Sequence, residues 1–275
     1  MIRVQGMAQP IDPAMLPDRQ RDIYLQKDRS PTVYSYDSVD QLLFELRVRV
    51  SITEAAAALY ESGAQFATFA DSRCNPVFWD RTEPGGFQLK PGVAPAEGVR
   101  DIFRNGRLYA FECATAMVIC LYRAVNVNIG DPLFNRYFAD LLLFDWHYDS
   151  DLRLITLDTH QESYPGDILY FINPDYSPLT PQWRGENVIK MGDNLYFGHG
   201  IGVRPAEGII AKLNSHRVPG SPFSAYLTDQ ASYPDYRYLY SLGSGVPVPP
   251  LQNPTGPRRQ GVIVARIGSF TYLKL

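Results

Sequence analysis

One stretch dominates the sequence: Tyr109-Ala-Phe-Glu-Cys-Ala-Thr-Ala-Met-Val-Ile-Cys120, an apolar run that holds one charge, Glu112, beside one thiol, Cys113. It follows Asn105-Gly106, a typical helix stop, and its apolar residues continue at helical spacing to Val125. The pattern predicts a buried helix with Cys113 in its first turn. Unpaired backbone N–H groups and the helix dipole favour a thiolate there, as in many reactive cysteines. The alternative is a buried cysteine that only packs.

The composition is that of a globular chain without a strong charge. Of the 275 residues, 45% are hydrophobic and 20% are charged, and the formal net charge is -3. This charge gives no electrostatic attraction for nucleic acid or for an anionic membrane. No apolar run is long enough to span a bilayer, and the first residues lack the apolar core of a signal peptide. We therefore expect a chain made in the cytoplasm, with neither nucleic acid nor a membrane as a partner.

The cysteines suggest neither a disulfide framework nor a metal site. There are three, Cys74, Cys113 and Cys120. Two of them lie on the same predicted helix, separated by a rise of roughly 10 Å, which is too far for a disulfide. Because the sequence has no CxxC pair, no histidine cluster and no EF-hand loop, we expect no bound metal and no cofactor. Cys74 precedes an Asn-Pro turn and is predicted to be structural.

The first half of the chain predicts helices. Residues 1–31 are polar and rich in proline, and they suggest an irregular arm. Capping boxes at Ser38–Gln41 and Ser51–Glu54 predict two consecutive helices that end at Gly63. Residues 83–95 are predicted to be a loop. Three further helices are expected over Pro95–Asn105, from Cys113 to about Val127, and over Leu133–Ala139 after an N-cap at Asp131.

Strand patterns dominate the second half. Short strands are predicted at 66–69 and 76–79, and longer ones at Leu141–Trp146, Leu152–Leu157, Asp167–Ile172, Glu186–Met191 and Asn194–His199. A helix at Pro205–His216, tyrosine-rich turns beyond Tyr233 and a closing strand at Val262–Ala265 complete the chain. Helices first and a mostly antiparallel sheet afterwards indicate an α+β fold.

The same strands supply a partner for the thiol. A cysteine nucleophile needs a proton acceptor within hydrogen-bond reach. Of the four histidines, His199 ends a strand among glycines. A two-residue loop at Gly192-Asp193 would place Glu186 directly opposite His199, whereas a three-residue loop would place Asn187 there. The first register brings Cys113, Glu186 and His199 together as a candidate active site; a solvated Glu186 that pairs with a neighbouring cation is the alternative.

Six separated motifs resemble the spore-coat transglutaminase family of bacilli, in matching order over residues 33–232. They are Phe66-Ala-Thr-Phe69, Phe111-Glu-Cys-Ala-Thr-Ala116, Asp145-Trp-His-Tyr148, Gln182-Trp-Arg-Gly-Glu-Asn-Val-Ile189, His199-Gly-Ile-Gly202 and Lys212-Leu-Asn-Ser215. The resemblance implies a single-domain NlpC/P60 papain-like core. It also implies one catalytic domain, 1–275, which consists of an arm (1–32), a family-like core (33–232) and a Pro/Gly-rich extension (233–275).

The resemblance also implies the roles of individual residues. Cys113 matches the nucleophile, Glu186 the acid/base carboxylate and Glu112 a supporting carboxylate, while His199 matches a nearby histidine of lesser importance. Apolar residues that would bind substrate and exclude water are Phe69, Trp146, Trp183 and Phe197.

The implied activity is that of a calcium-independent protein-glutamine gamma-glutamyltransferase. It would form a thioester with a protein glutamine and pass the acyl group to a protein lysine, with spore coat proteins as partners at the coat surface of the spore. Two alternatives remain open: a cysteine peptidase or amidase of the NlpC/P60 type with His199 as base, and a catalytically silent coat protein. The chain after about residue 245 is expected to be dispensable for the chemistry, because its proline-rich segments are typical of an extended linker.

Overall fold

The computed structural model describes residues 1–7 and 11–245, and the backbone of 263–267 and 270–274. Its α-helices are α1 (Asp18–Arg29), α2 (Val39–Glu61), α3 (Pro95–Arg104), α4 (Cys113–Ile129), α5 (Asp131–Tyr137), α6 (Ala206–Asn214) and α7 (Tyr236–Ser244). Its strands are β1 (Ile2–Val4), β2 (Tyr34–Tyr36), β3 (Gln65–Phe66), β4 (Trp79–Arg81), β5 (Phe87–Leu89), β6 (Ala110–Phe111), β7 (Leu142–Leu143), β8 (Leu154–Leu157), β9 (Ile168–Ile172), β10 (Gly185–Gly192), β11 (Leu195–Gly198), β12 (Gly202–Arg204), β13 (Tyr226–Pro234), β14 (Ile263–Ile267) and β15 (Phe270–Lys274).

A six-stranded antiparallel sheet forms the second half of the chain. Its strand order is β12-β11-β10-β9-β13-β8. The predicted mixture of helices followed by an antiparallel sheet is confirmed. Strand β13 was not predicted; it inserts between β9 and β8 through a register shift between Leu227 and Ala231. Such an irregularity breaks the alternation by which strands are recognised in a sequence.

Helix α4 lies at the centre of the largest apolar core. Its residues from Ala116 to Leu121 are fully buried, and the helix packs against α2, α3, α5, α7 and β10. A helix that is covered on nearly all sides has apolar residues all round rather than on one stripe. The prediction of a buried helix that begins at Cys113 is confirmed, and the helix ends two residues beyond the predicted Val127.

Helix α2 is continuous, so the prediction of two helices is wrong. The hydroxyl of Ser38 accepts a hydrogen bond from the Gln41 backbone N–H at 3.2 Å and caps the helix, whereas Ser51 lies inside it. Residues on both sides of Ser51 face the same core, as Val48 and Ile52 are both 0% exposed. Packing along α4 therefore outweighs the local capping signal.

Three segments predicted to be irregular form regular elements. Residues 18–29 form α1, in which only Ile23, Tyr24 and Lys27 are buried, so its apolar stripe is too narrow to recognise. Residues 87–89 form β5 inside the predicted loop. The tyrosine-rich stretch after Tyr233 forms α7, because its tyrosine rings pack into the core while Asp235 caps the Tyr238 N–H at 3.0 Å.

The remaining strand predictions differ mainly at their ends. The strand predicted at Leu141–Trp146 shrinks to Leu142–Leu143, because Asp145 adopts a left-handed backbone conformation with φ 51°. The closing strand predicted at Val262–Ala265 is found at Ile263–Ile267, paired with β15 in a separate two-stranded sheet. The predicted proline-rich linker, 246–250, lies outside the described residues.

A buried ion cluster joins the N-terminal helix to the six-stranded sheet. The Arg49 guanidinium, whose side chain is 2% exposed, lies 2.7 Å from Glu45 Oε1 and 2.6 Å from Asp167 Oδ1. The Lys27 ammonium lies 2.5 Å from the same Glu45 oxygen. These four side chains connect α1 and α2 to the residue that precedes β9. Because each charge is buried, removal of Arg49 leaves Asp167 without its cation and Glu45 with Lys27 alone.

We expect Arg49→Met to destabilise the protein by about 3–5 kcal/mol, since two carboxylates would remain buried without their guanidinium. The matched control is Arg47→Met on the exposed side of the same helix, where the change should be within about 0.5 kcal/mol. Urea unfolding monitored by circular dichroism measures both. Similar losses in the two variants would show that the cluster does not stabilise the fold.

Candidate active site

Glu112 fixes the position of Cys113 at the start of α4. One carboxylate oxygen of Glu112 accepts the Ala114 N–H at 2.8 Å, and the other accepts the Thr115 N–H at 2.6 Å. Glu112 is therefore the N-cap residue, and Cys113 is the first residue of the helix. A carboxylate at this position is favoured by the helix dipole and by the unpaired N–H groups.

The register of the β10–β11 hairpin differs from the predicted one. Val188 pairs with Gly198 and Gly192 pairs with Leu195, with a register shift between Lys190 and Gly192. The predicted pairing of Glu186 with His199 is therefore wrong. Extrapolated by one residue, the observed register would place Asn187 opposite His199, which is the other register that the sequence allowed. The extra residue on β10 is a bulge, which a count from the turn does not detect.

Asn187 reaches the thiol from strand β10. Its side-chain amide donates a hydrogen bond to Cys113 Sγ at 3.4 Å. The backbone of Asn187 forms a second hydrogen bond that lowers the pKa of the Cys113 thiol. Two donors from one residue of β10 therefore converge on the sulfur, and they are available to an anion that develops beside it.

Glu186 is buried beside the same sulfur. It is 2% exposed, and its Oε1 has no hydrogen-bond partner. Burial raises the pKa of its carboxyl well above the ordinary value, and the charge of Glu112 raises it further. Gly198 makes room for this carboxyl, because a Cβ at that position would lie 2.8 Å from Glu186 Oε1.

The surroundings keep the resting thiol protonated. Burial raises the pKa of Cys113 well above its ordinary value, and the carboxylates of Glu186 and Glu112 raise it further. The hydrogen bonds from Asn187 lower that pKa but do not reverse the direction. This direction is opposite to the thiolate expected from the helix N-terminus alone. The resting thiol is accordingly neutral, beside a buried carboxyl whose own affinity for a proton is raised.

His199 is directed towards backbone groups. His199 is 3% exposed, and its Nε2 lies 3.1 Å from the Gln65 carbonyl oxygen. The ring stacks on Phe111 with a centroid distance of 4.7 Å. Burial lowers the pKa of His199 to about 4, against hydrogen bonds to the backbone at Gln65 and Phe111 that raise it. The imidazole is therefore neutral at pH 7 and joins β11 to β3 and β6.

A cavity of about 290 Å³ opens over Cys113. It is lined by Phe66, Thr68, Phe69, Glu112, Cys113, Asp145, Trp146, Tyr170, Pro181, Gln182, Arg184, Gly185 and Asn187. Of the four apolar residues predicted to bind substrate, Phe69 and Trp146 are in this lining. Trp183 instead stacks on His216 at 4.2 Å, outside the lining, and Phe197 is 1% exposed in the core.

Six polar residues of this lining were not predicted as site residues: Thr68, Asp145, Tyr170, Gln182, Arg184 and Asn187. Asn187 was available as the alternative partner of His199 and as the last residue of the motif Trp183-Arg-Gly-Glu-Asn187. Asp145 stands in the motif Asp145-Trp-His-Tyr148, from which only Trp146 was predicted to line the site. Burial raises the pKa of Asp145 to about 6, and the charge of Glu112 contributes to the shift. Arg184 carried no signal beyond its charge.

Other classes of site are not supported by the described part of the chain, 1–7 and 11–245 with the two terminal strands. Within it, no three side chains of His, Cys, Asp or Glu are grouped so that they could hold a metal ion. No helix there is both long enough and apolar enough to cross a membrane. The arrangement that remains is a thiol, a buried carboxyl of raised pKa and amide donors in a cavity with apolar walls. These are the groups needed for acyl transfer through a thioester.

Comparisons with known proteins agree with this chemistry. The family model described as protein-glutamine gamma-glutamyltransferase matches residues 1–243, a wider span than the 33–232 expected from motifs. Proteins of that name from Bacillus mycoides (strain KBAB4) and Bacillus cereus (strain G9842) are each 46% identical, over 243 and 239 residues, covering 87% of this chain and 86% of the relative. A solved structure of the transglutaminase from Geobacillus stearothermophilus, without its C-terminal extension, is 52% identical with a TM-score of 0.71, covering 74% of this chain and 97% of that one.

The electrostatic effect of Glu186 on the thiol predicts the reactivity of Cys113. In Glu186→Gln the neighbouring negative charge is absent, so the pKa of Cys113 should fall and its alkylation by iodoacetamide at pH 8 should accelerate, about tenfold for each unit of pKa. Mass spectrometry resolves the three cysteines, and Cys74, whose pKa burial raises to about 11, serves as the internal reference. A slower or unchanged reaction of Cys113 would contradict the assigned effect of Glu186.

Proposed function

The chain belongs to the protein-glutamine gamma-glutamyltransferase family, and we propose that Cys113 is the nucleophile with which it carries out this acyl transfer. The observation that carries the proposal is the convergence of Glu186 and Asn187 on one sulfur at the start of α4. Of the three cysteines, Cys113 is the one in the cavity lining, and Cys120 is 0% exposed.

The first half-reaction acylates the thiol. Sγ of Cys113 attacks the side-chain carboxamide carbon of a protein glutamine, and the oxyanion that forms is stabilised by donors such as the Asn187 amide. Glu186 accepts the thiol proton and delivers it to the leaving nitrogen, so the carbon–nitrogen bond breaks and ammonia departs. The product is a thioester between the glutamyl group and Cys113. A carboxyl with a raised pKa suits both transfers because it binds the thiol proton more tightly than an ordinary carboxylate does.

The second half-reaction transfers the acyl group to a lysine of another protein. Its amine attacks the thioester carbon, the carbon–sulfur bond breaks, and Cys113 regains a proton through Glu186. Water must be kept from the thioester, since its attack would only deamidate the glutamine. We assign this exclusion first to Phe69 and Trp146 in the cavity wall. Trp183 supports this wall from outside the lining, because it stacks on Phe66 at a centroid distance of 6.2 Å, whereas Phe197 lies in the core and is assigned no contact with substrate.

Two further residues act through their positions. Glu112 holds the first turn of α4 and adds negative charge beside Glu186. His199 is assigned a positioning role, since its ring nitrogen is occupied by the Gln65 carbonyl and its pKa is low. An imidazole bound in this way is a poor proton acceptor for the thiol, which disfavours a peptidase or amidase with His199 as base.

The biological setting is a separate part of the proposal. The six motifs that resemble the spore-coat family support an NlpC/P60 papain-like core, synthesis in the mother cell, and action at the coat surface on spore coat proteins. They also support one catalytic domain with an arm at 1–32, the core at 33–232 and an extension from 233. A fluorescent fusion followed through sporulation tests the location; a signal that stays diffuse in the cell would reject it.

Replacement of Cys113 by alanine should abolish incorporation of a labelled amine into a glutamine-rich protein, because no thioester can form. Cys74→Ala and Cys120→Ala serve as matched controls and should keep most of the activity, since neither thiol belongs to the cavity lining. A folded but inactive Cys74→Ala would refute the assignment of the nucleophile.

Glu186→Gln should lower the transamidation rate by about 10²–10⁴-fold, the usual cost of removing a general acid or base. His199→Ala should lose distinctly less, because its ring is tied to backbone groups rather than to the thiol. Circular dichroism verifies that both variants are folded. The assignment fails if the loss in His199→Ala exceeds the loss in Glu186→Gln.

Activity should persist in the presence of a calcium chelator. The proposed proton transfers use side chains of the chain itself, and the family resemblance implies calcium independence. Amine incorporation measured with and without the chelator checks this expectation. Loss of activity that added calcium restores would count against it.

A further inference from the structure

We propose that Asp145 binds the ammonium group of the acceptor lysine and removes its first proton, which makes Asp145 a further catalytic residue of the transfer. The inference rests on the proposed function, because it assumes a thioester at Cys113. It assigns the second substrate to a specific wall of the cavity.

Asp145 lies in the same cavity lining as Cys113 and Glu112. Its backbone has φ 51°, a left-handed conformation that is uncommon for residues other than glycine, although Asp and Asn adopt it more readily than most. The turn is closed by the His147 N–H, which donates to the Phe144 carbonyl at 2.8 Å, and it is anchored by Trp146, which is 4% exposed. Such conformations persist where the surroundings enforce them, often at active sites.

The other two carboxyls of the site are less available to the ammonium group of a lysine. Both oxygens of Glu112 accept backbone N–H groups of α4. Glu186 is buried beside the sulfur and is not in the cavity lining. In the described structure the Asp145 carboxylate accepts a hydrogen bond from the backbone of the adjacent Trp146, and the charge of Arg184 acts on it from a distance. Since a carboxylate accepts about four hydrogen bonds, Asp145 keeps most of its capacity for a ligand.

The charges around Asp145 suit a cation. Burial and the charge of Glu112 raise its pKa to about 6, while the Trp146 hydrogen bond and Arg184 oppose the shift. At pH 7 the group is therefore mostly ionised and attracts an ammonium. Its proton affinity is nevertheless near neutrality, as an efficient proton acceptor requires.

The walls of the cavity suit the rest of a lysine side chain. Phe66, Phe69 and Trp146 provide apolar surface beside Asp145. A lysine has a four-carbon apolar stem and a charged tip, so its stem and its tip match these two kinds of surface. A glutamine carboxamide carries no charge and would gain nothing comparable from Asp145.

The transfer balances without another reagent. The lysine ammonium gives one proton to the Asp145 carboxylate, and the neutral amine attacks the thioester carbon. A carbon–nitrogen bond forms, the carbon–sulfur bond breaks, and the second proton passes from nitrogen through Glu186 to the Cys113 sulfur. Asp145 then returns its proton to water. The sum is an ammonium and a thioester converted to an amide, a thiol and one released proton.

The test is Asp145→Asn with two acceptors of different charge. Asn keeps the size of the side chain and tolerates the left-handed backbone. With cadaverine, a cationic amine, KM should rise about tenfold or more, in line with a lost charged hydrogen bond. With hydroxylamine, which is uncharged at neutral pH, kcat/KM should change by no more than about threefold, a small fraction of such a bond. Asp145→Glu should recover part of the affinity for cadaverine.

The matched control is Asp140→Asn, the same charge change at an exposed residue outside the cavity lining; it should affect neither acceptor. Equal losses of Asp145→Asn with both acceptors, or no loss with cadaverine, would overturn the proposal. Ammonia release without any amine reports the first half-reaction and should be unchanged in Asp140→Asn; in Asp145→Asn it should fall less than cadaverine incorporation does. If Cys113→Ala still released ammonia, the proposed function itself would fail, which is a different result.

Discussion

The contact between the first turn of α4 and strand β10 is the constraint on which the site depends. Helix α4 is enclosed by the core on nearly every side, so its start cannot shift without displacing packed side chains. That rigidity holds Cys113 Sγ within 3.4 Å of the Asn187 amide. Preorganised donors of this kind stabilise a developing anion without rearrangement at the moment of reaction.

Burial and three carboxyls together set the electrostatics of the cavity. Glu112 and Glu186 act on the Cys113 thiol, Asp145 lines the same cavity, and each of the three carboxyls is placed in a different environment. Glu112 caps helix α4, Glu186 is 2% exposed, and Asp145 lines the cavity. Different environments give similar groups different pKa values, and so different roles in one reaction.

Distant parts of the chain support this arrangement. The cluster of Lys27, Glu45, Arg49 and Asp167 joins α1 and α2 to the residue before β9, and β9 pairs with β10. His199 joins β11 to β3 and β6 through the Gln65 carbonyl and the Phe111 ring. Both sets of contacts are buried, so they hold neighbouring strands at fixed distances from α4.

The sequence by itself determined the helix that begins at Cys113, the change from helices to an antiparallel sheet and, through six motifs, the family. These features follow from local periodicity, capping residues and short patterns. Tertiary structure decided the continuity of α2 and the formation of α1 and α7. It also decided the bulge in β10, which shifts the register so that Asn187, and not Glu186, is aligned with His199. It also decided that Asp145 faces the cavity. The reason is physical: bulges, left-handed turns and buried charges are set by packing against segments far away in the chain, which no local pattern records.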